Sequence, residues 1–156
     1  MKIMDFLCKD AITADIRAVK KDDVLTEMVD LLVLAGQIEK KDRNKLVEQL
    51  MSRELLGSTA IGQGVGIPHT KSGCVNKLVS SFGLSQKGVD FDSLDGEKVY
   101  IFFLLVAPLD SAGLHLKALA RISRLLKDKY FRESLRELKD AQAILKVIIQ
   151  EDEKKI

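Results

Sequence analysis

Val99-Tyr100-Ile101-Phe102-Phe103-Leu104-Leu105-Val106-Ala107 contains no charged side chain and mixes β-branched, aromatic and aliphatic residues without a break. A surface helix returns a polar face every three or four residues, and a half-buried strand alternates. Continuous apolar character over this length predicts a strand buried on both faces, at the centre of a sheet covered on each side.

The flanking sequence supplies a sheet and its covers. Lys77–Ser85, with Leu78, Val79, Phe82 and Leu84, predicts a second strand. Thr59–Gly62 and Gly66–Pro68 read as short strands beside the central one. Lys21–Ala35 carries Val24, Leu25, Met28, Leu31, Leu32 and Ala35 at helical spacing and is closed by Gly36. Lys41–Leu55 repeats the pattern with Leu46, Leu50, Met51 and Leu55 before Gly57, so the two predict an antiparallel helix pair. Beyond the central strand, Pro108, Asp110 and Ser111 supply an N-cap for a helix over about Ala112–Lys127, striped by His115, Leu119, Ile122 and Leu126. Phe131–Leu138 and Ala141–Ile149 predict two more helices, and the charged residues 151–156 a frayed tail. The expected class is α/β, a small mixed sheet flanked by helices on both faces, in a single domain over residues 1–156.

Composition narrows the function. Hydrophobic residues make up 46% and charged residues 31% of 156, and the net charge is +2. That balance gives no global field for nucleic acid or a membrane surface. No apolar run reaches the ~18 residues of a spanning helix, and Asp5 stands where a signal peptide would be apolar. Cys8 and Cys74 are the only cysteines. Far apart in sequence, they suggest reduced thiols in a cytosol. Arg121, Arg124, Lys127, Lys129, Arg132 and Arg136, interleaved with Asp128, Glu133 and Glu137, read as a solvated helix face.

The chemistry concentrates on Gly62-Gln63-Gly64-Val65-Gly66-Ile67-Pro68-His69. Alternating glycines let a partner approach the main chain closely. Pro68 fixes its own φ and biases Ile67 towards extended backbone. Imidazole is a nucleophile that changes charge near neutral pH. His69 therefore reads either as a reactive histidine aimed at another macromolecule or as a loop histidine capping a turn. His115 reads either as a buried structural histidine or, because a helix start disfavours imidazolium, as a neutral hydrogen-bond donor to a phosphate. The Arg53 fork suits phosphate oxygens and equally suits solvent at a helix end. Ser58 and Thr59 could bind phosphate oxygens or satisfy a turn.

Other signatures fail. Gly62–Gly66 lacks the Gly-Lys-Ser/Thr ending of a phosphate-binding loop and the spacing of a dinucleotide fingerprint. Asp90, Asp92, Asp95 and Gly96 miss the register of a calcium loop and predict a charged hairpin. The two histidines lack zinc-ligand spacing, so no metal is expected.

Five segments in order resemble the enzyme IIA domain of the fructose/mannitol class in the bacterial phosphoenolpyruvate-dependent phosphotransferase system. They are Arg53-Glu54-Leu55-Leu56-Gly57-Ser58-Thr59, Gly62 to His69, Val89 to Gly96, Phe103 to Pro108, and His115-Leu116-Lys117-Ala118-Leu119. The resemblance covers nearly the whole chain. It implies that His69 is phosphorylated on Nε2, that His115 hydrogen-bonds the phosphoryl group and that Arg53 stabilises it. Ser58, Thr59, Gly64, Gly66 and Thr70 fall in the implied binding region. Val65 and Gly66 depart mildly from the usual Ile-Ala-Ile-Pro-His, and Thr70 replaces a small residue. The implied donor is a phosphorylated histidine-containing carrier protein and the implied acceptor an enzyme IIB cysteine, with no cofactor, in the cytoplasm, without membrane insertion or nucleic acid. Two alternatives stand beside transport. One is the nitrogen-related regulatory branch of the family, whose phosphorylation state controls other proteins. The other is a ligand-binding α/β domain without phosphoryl transfer.

Overall fold

The computed structural model describes residues 1–155. Strand β5 (Val99–Ala107) is an interior strand of a five-stranded mixed sheet. It pairs antiparallel with β4 (Val79–Val89) on one side, and β4 pairs in parallel with β1 (Leu7–Thr13). On its other side β5 carries two short parallel partners, β2 (Val65–Gly66) and β3 (His69–Lys71). Every residue of β5 except Tyr100 is buried, as its uninterrupted apolar run requires.

Strand alternation divides β5 between two cores. Phe102, Leu104 and Val106 face α1 (Lys21–Leu34) and α2 (Arg43–Leu55), packing with Leu25, Met28, Leu32, Leu46 and Leu50. Ile101, Phe103 and Leu105 face α3 (Ala112–Leu126), α4 (Lys129–Arg136) and α5 (Ala141–Lys154), packing with Ile122, Leu126, Leu135 and Ile148. Edge-to-face aromatic pairs, Phe82–Phe103 at 4.9 Å and Phe91–Phe102 at 5.2 Å, tie β4 and its exit loop to β5. Each such side chain taken out of water contributes about 1.5–3 kcal/mol.

Several expectations need correction. The short strands lie at Val65–Gly66 and His69–Lys71, not at 59–62 and 66–68. Gly62 only bridges to Val65, because the backbone turns through Gln63 and Gly64 between them. Strand β1 was not expected at all. Its sequence, Leu-Cys-Lys-Asp-Ala-Ile-Thr, places exposed Lys9 and Asp10 side by side where its register to β4 shifts, so alternation is lost. Ser111 occupies the N-cap position of α3, but its hydroxyl donates to the Pro108 carbonyl and caps nothing.

Residues 151–154 belong to α5 and are not a frayed tail, while Ile156 lies outside the described residues. The anchor is Asp152, buried at 4% exposure. Its carboxylate accepts the Ile3 amide at 2.7 Å and the Arg121 Nε at 2.7 Å. Arg121 is thereby removed from the solvated basic face. Arg136 leaves it too, lying over the Tyr100 ring at 3.7 Å. The acidic segment Asp90–Glu97 joins antiparallel β4 and β5, as expected of a charged hairpin.

Candidate functional site

The glycine-rich segment delivers His69 to the sheet. Gly62 and Gly64 have φ of +133° and +77°, conformations that L side chains resist. They allow a turn tight enough for the Gly64 carbonyl to accept both Tyr100 N–H (2.8 Å) and Ile101 N–H (3.0 Å). Asp95 closes the same turn by accepting the Gln63 amide at 3.0 Å. A methyl group on Gly66 would sit 3.3 Å from the Phe102 ring, so the aromatic ring fills the space a larger residue would need. The Pro68 carbonyl then accepts Leu105 N–H at 2.9 Å, and His69 opens β3 opposite Leu105.

That register puts His69 on the α3 side of the sheet, where His115 comes from the first turn of α3. The two imidazole centroids are 5.4 Å apart, with planes tilted by 59°. His69 Nδ1 lies 2.7 Å from the Ile67 carbonyl oxygen. That oxygen can only accept, so Nδ1 carries the proton and Nε2 keeps a free lone pair. His115 is 7% exposed, and its buried Nδ1 has no partner among the described residues. With no acceptor facing Nδ1 among the described residues, the tautomer with its proton on Nε2 leaves no buried N–H of His115 unpaired.

Electrostatics keep both rings neutral. Burial pushes the His69 pKa below its ordinary 6.5. The Arg53 charge pushes the same way, against the Ile67 carbonyl and Glu54. His115 is also depressed, first by burial and then by His69 and Lys71. The site thus pairs an unprotonated nucleophilic nitrogen with a neutral N–H donor, edged by two cations. That combination can accept and hold a phosphoryl group, since such transfers need positioning and charge stabilisation more than covalent help.

Arg53 lies in the last turn of α2, half-buried, with Nη1 donating to the Gly57 carbonyl at 3.0 Å. Ser58 Oγ donates to the Phe91 carbonyl (2.7 Å) and accepts Ala60 N–H (3.0 Å). The Thr59 hydroxyl donates to Glu54. Both hydroxyls thus satisfy the turn after α2. Thr70 alternates to the opposite sheet face from His69 and donates weakly to the Lys71 carbonyl at 3.3 Å. Two residues escaped the sequence reading. Lys71, two positions after His69 in a strand, shares its face, and that parity was a usable signal. Glu54, a carboxylate buried at 5% exposure beside Arg53, offered none. Among the described residues, no cluster of three or more His, Cys, Asp and Glu side chains could hold a metal ion. None of the described helices is long and apolar enough to cross a membrane.

Residues 5–151 match the family described as "Phosphoenolpyruvate-dependent sugar phosphotransferase system, EIIA 2". The chain is 38% identical to the fructose-specific EIIABC component of Bacillus subtilis over 97% of its own length, spanning only 24% of that protein. It is 39% identical to the nitrogen regulatory protein of Bradyrhizobium diazoefficiens over 95% of both chains. Nitrogen regulatory protein IIA-Ntr from Neisseria meningitidis superposes with a TM-score of 0.83 at 30% identity, covering 94% of this chain and 98% of that one. The fold alone is shared with mannitol enzyme IIA of Escherichia coli, solved in complex with phosphorylated enzyme IIB. There the TM-score is 0.73 at 19% identity, over 89% of this chain and 94% of that one.

Proposed function

The chain belongs to the EIIA 2 family of the phosphoenolpyruvate-dependent sugar phosphotransferase system, and on that premise we propose that it is a phosphohistidine relay protein acting through His69. The carrying observation is the Nδ1–Ile67 hydrogen bond, which leaves Nε2 as the nucleophile. In the accepting step the Nε2 lone pair forms a bond to phosphorus. The phosphorus–nitrogen bond of a phosphorylated histidine-containing carrier protein breaks, and its electron pair returns to the carrier's imidazole. The Ile67 carbonyl then faces the retained Nδ1–H of a ring made electron-poor by phosphorylation. His115 Nε2–H, Arg53 and Lys71 supply the positive field for the roughly −1.5 to −2 charges of the group, taking phosphoserine as guide.

In the donating step, a cysteine thiolate of an enzyme IIB takes the phosphoryl group and His69 recovers its lone pair. Fructose or mannitol-type sugar uptake in the cytoplasm is the resulting role. Support comes from the Bacillus subtilis relative, whose name joins the A, B and C components. The partners would dock over exposed leucines that flank the site residues in sequence: Leu55 and Leu56 after Arg53, and Leu114 and Leu116 around His115.

A second reading, control of other proteins by phosphorylation state, is favoured by the likeness to nitrogen regulatory proteins, 39% identity and a TM-score of 0.83. Incubation with phosphoenolpyruvate, enzyme I and the carrier protein tests the shared core of both. One acid-labile phosphate per chain is expected, absent from a folded His69→Ala variant. Phosphate retained in that variant refutes the relay through His69. Onward transfer to a fructose-type enzyme IIB then separates uptake from regulation.

A further inference from the structure

Glu54 is a buried carboxylate, and such a group needs partners to stay ionised. It has three: Lys21 Nζ at 3.0 Å, the Thr59 amide at 3.1 Å and the Thr59 hydroxyl. The Lys21 ammonium is itself held at 15% exposure and lies 4.7 Å from the centre of the Phe91 ring. The connection continues past Thr59. Its carbonyl accepts the Ile67 amide at 3.3 Å, and the Ile67 carbonyl accepts His69 Nδ1–H at 2.7 Å. An unbroken polar path thus runs from the start of α1, through the end of α2, to the imidazole.

Stability is a weak reason for a buried ion pair here, because exchanging such pairs for packed apolar residues is often neutral or stabilising. The path offers a different reason. Which ring nitrogen of a histidine holds the proton is set by the hydrogen bond the other end makes. The peptide between Ile67 and Pro68 carries the deciding carbonyl, and its orientation follows from where the Ile67 amide is anchored.

We propose that the Lys21–Glu54 pair is a positioning device for His69. By fixing Thr59 it holds the Ile67 carbonyl against Nδ1 and keeps Nε2 unprotonated. The inference rests on His69 as phosphoryl acceptor. Arg53, the residue before Glu54, is placed separately, its Nη1 donating to the Gly57 carbonyl at 3.0 Å.

The test uses the full chain labelled with 15N at histidine, in which long-range 1H–15N correlations identify the tautomer. Lys21→Met/Glu54→Leu removes the pair without leaving a buried charge. It is expected to convert His69 from one Nδ1–H form to a mixture. The turnover of phosphoenolpyruvate-dependent phosphorylation is expected to fall about ten- to hundredfold, the cost of misplacement by about an ångström, with KM for the carrier little changed. Lys21→Met/Glu54→Gln keeps an amide able to bond Thr59 and is expected to recover the Nδ1–H form and most of the rate. A folded Lys21→Met/Glu54→Leu protein with an unaltered His69 tautomer overturns the proposal. Should that variant not fold, Thr59→Val, which removes only the hydroxyl, is judged by the same criterion. A tautomer that responds in a protein whose wild type takes up no phosphate refutes the relay reading and leaves the positioning device standing.

Discussion

His69 and His115 come from different layers of the fold, one opening strand β3 and one in the first turn of α3, yet their ring centroids lie 5.4 Å apart. On the proposed relay, that spacing would let a phosphoryl group carried by His69 meet the His115 imidazole. His115→Ala should therefore still accept phosphate on His69. Onward transfer should slow by up to about 10²–10³-fold, the cost of losing one preorganised donor. Rapid-quench measurement of transfer to enzyme IIB checks this, and an unchanged rate would leave His115 a packing residue.

Both imidazoles titrate below the ordinary histidine value of 6.5 because burial disfavours their charged forms. The unfolded chain then binds protons before the folded one does. Stability is fully present above pH 6.5 and declines as pH falls towards the folded pKa values. Urea midpoints should drop between pH 7.5 and about pH 5, and drop less in His69→Gln/His115→Gln. Equal slopes in the two proteins would mean that carboxylates, not these rings, set the acid sensitivity.

Gly66 and Phe102 should be energetically coupled. Gly66→Ala places a methyl 3.3 Å from a ring that is itself fully buried against Phe91. The ring has little room to yield, so the expected cost is about 1–2 kcal/mol. Phe102→Leu, a cavity-forming change alone, should absorb part of that strain in the double variant. A double-mutant cycle in denaturant measures the coupling, and additive costs would show that Gly66 has space to spare.

Partner docking should depend weakly on salt. Gly62–Pro68 carries no charge, and Leu55, Leu56, Leu114 and Leu116, which flank Arg53 and His115 in sequence, are exposed. Exposed charge pairs are screened over ~10 Å at 0.1 M salt, whereas apolar contact is not. Calorimetric titration of the unphosphorylated carrier at low and high salt should give similar affinities. Leu116→Asp should weaken binding and Arg53→Ala should slow transfer more than it weakens binding. Steep salt dependence would place the carrier on another face.

How legible this was in sequence depends on how many levels of structure each residue's role requires. Val99–Ala107 announced a two-sided core because burial on both faces leaves no polar position in the strand. The helix stripes of α1, α2 and α3 were legible for the matching reason. His69 stood out because glycines that free the backbone and a proline that fixes it stand together just before it. Strand β1 was hidden by a register shift that puts two charged residues together, and β2 and β3 were misplaced because each is only two or three residues long. Ser58 and Thr59 carry the same hydroxyls whether they bind phosphate or close a turn, and their contacts with Phe91 and Glu54 lie on segments that the local sequence does not link to them. Glu54 and Asp152 were invisible because a charged side chain gives no sequence sign that its partner lies on another element.

Asp152 also orders events in time. Ile3 precedes Asp152 by 149 residues along the chain and Arg121 precedes it by 31, yet both wait for that one carboxylate in α5. On a ribosome the sheet can pair and α3 can pack while residue 152 is still in the exit tunnel. The clasp between the first turn and the last helix can close only after that residue is released. A nascent chain arrested before it would hold His69 in its strand with the α5 side of the molecule unlatched, open to proteases until that residue emerges.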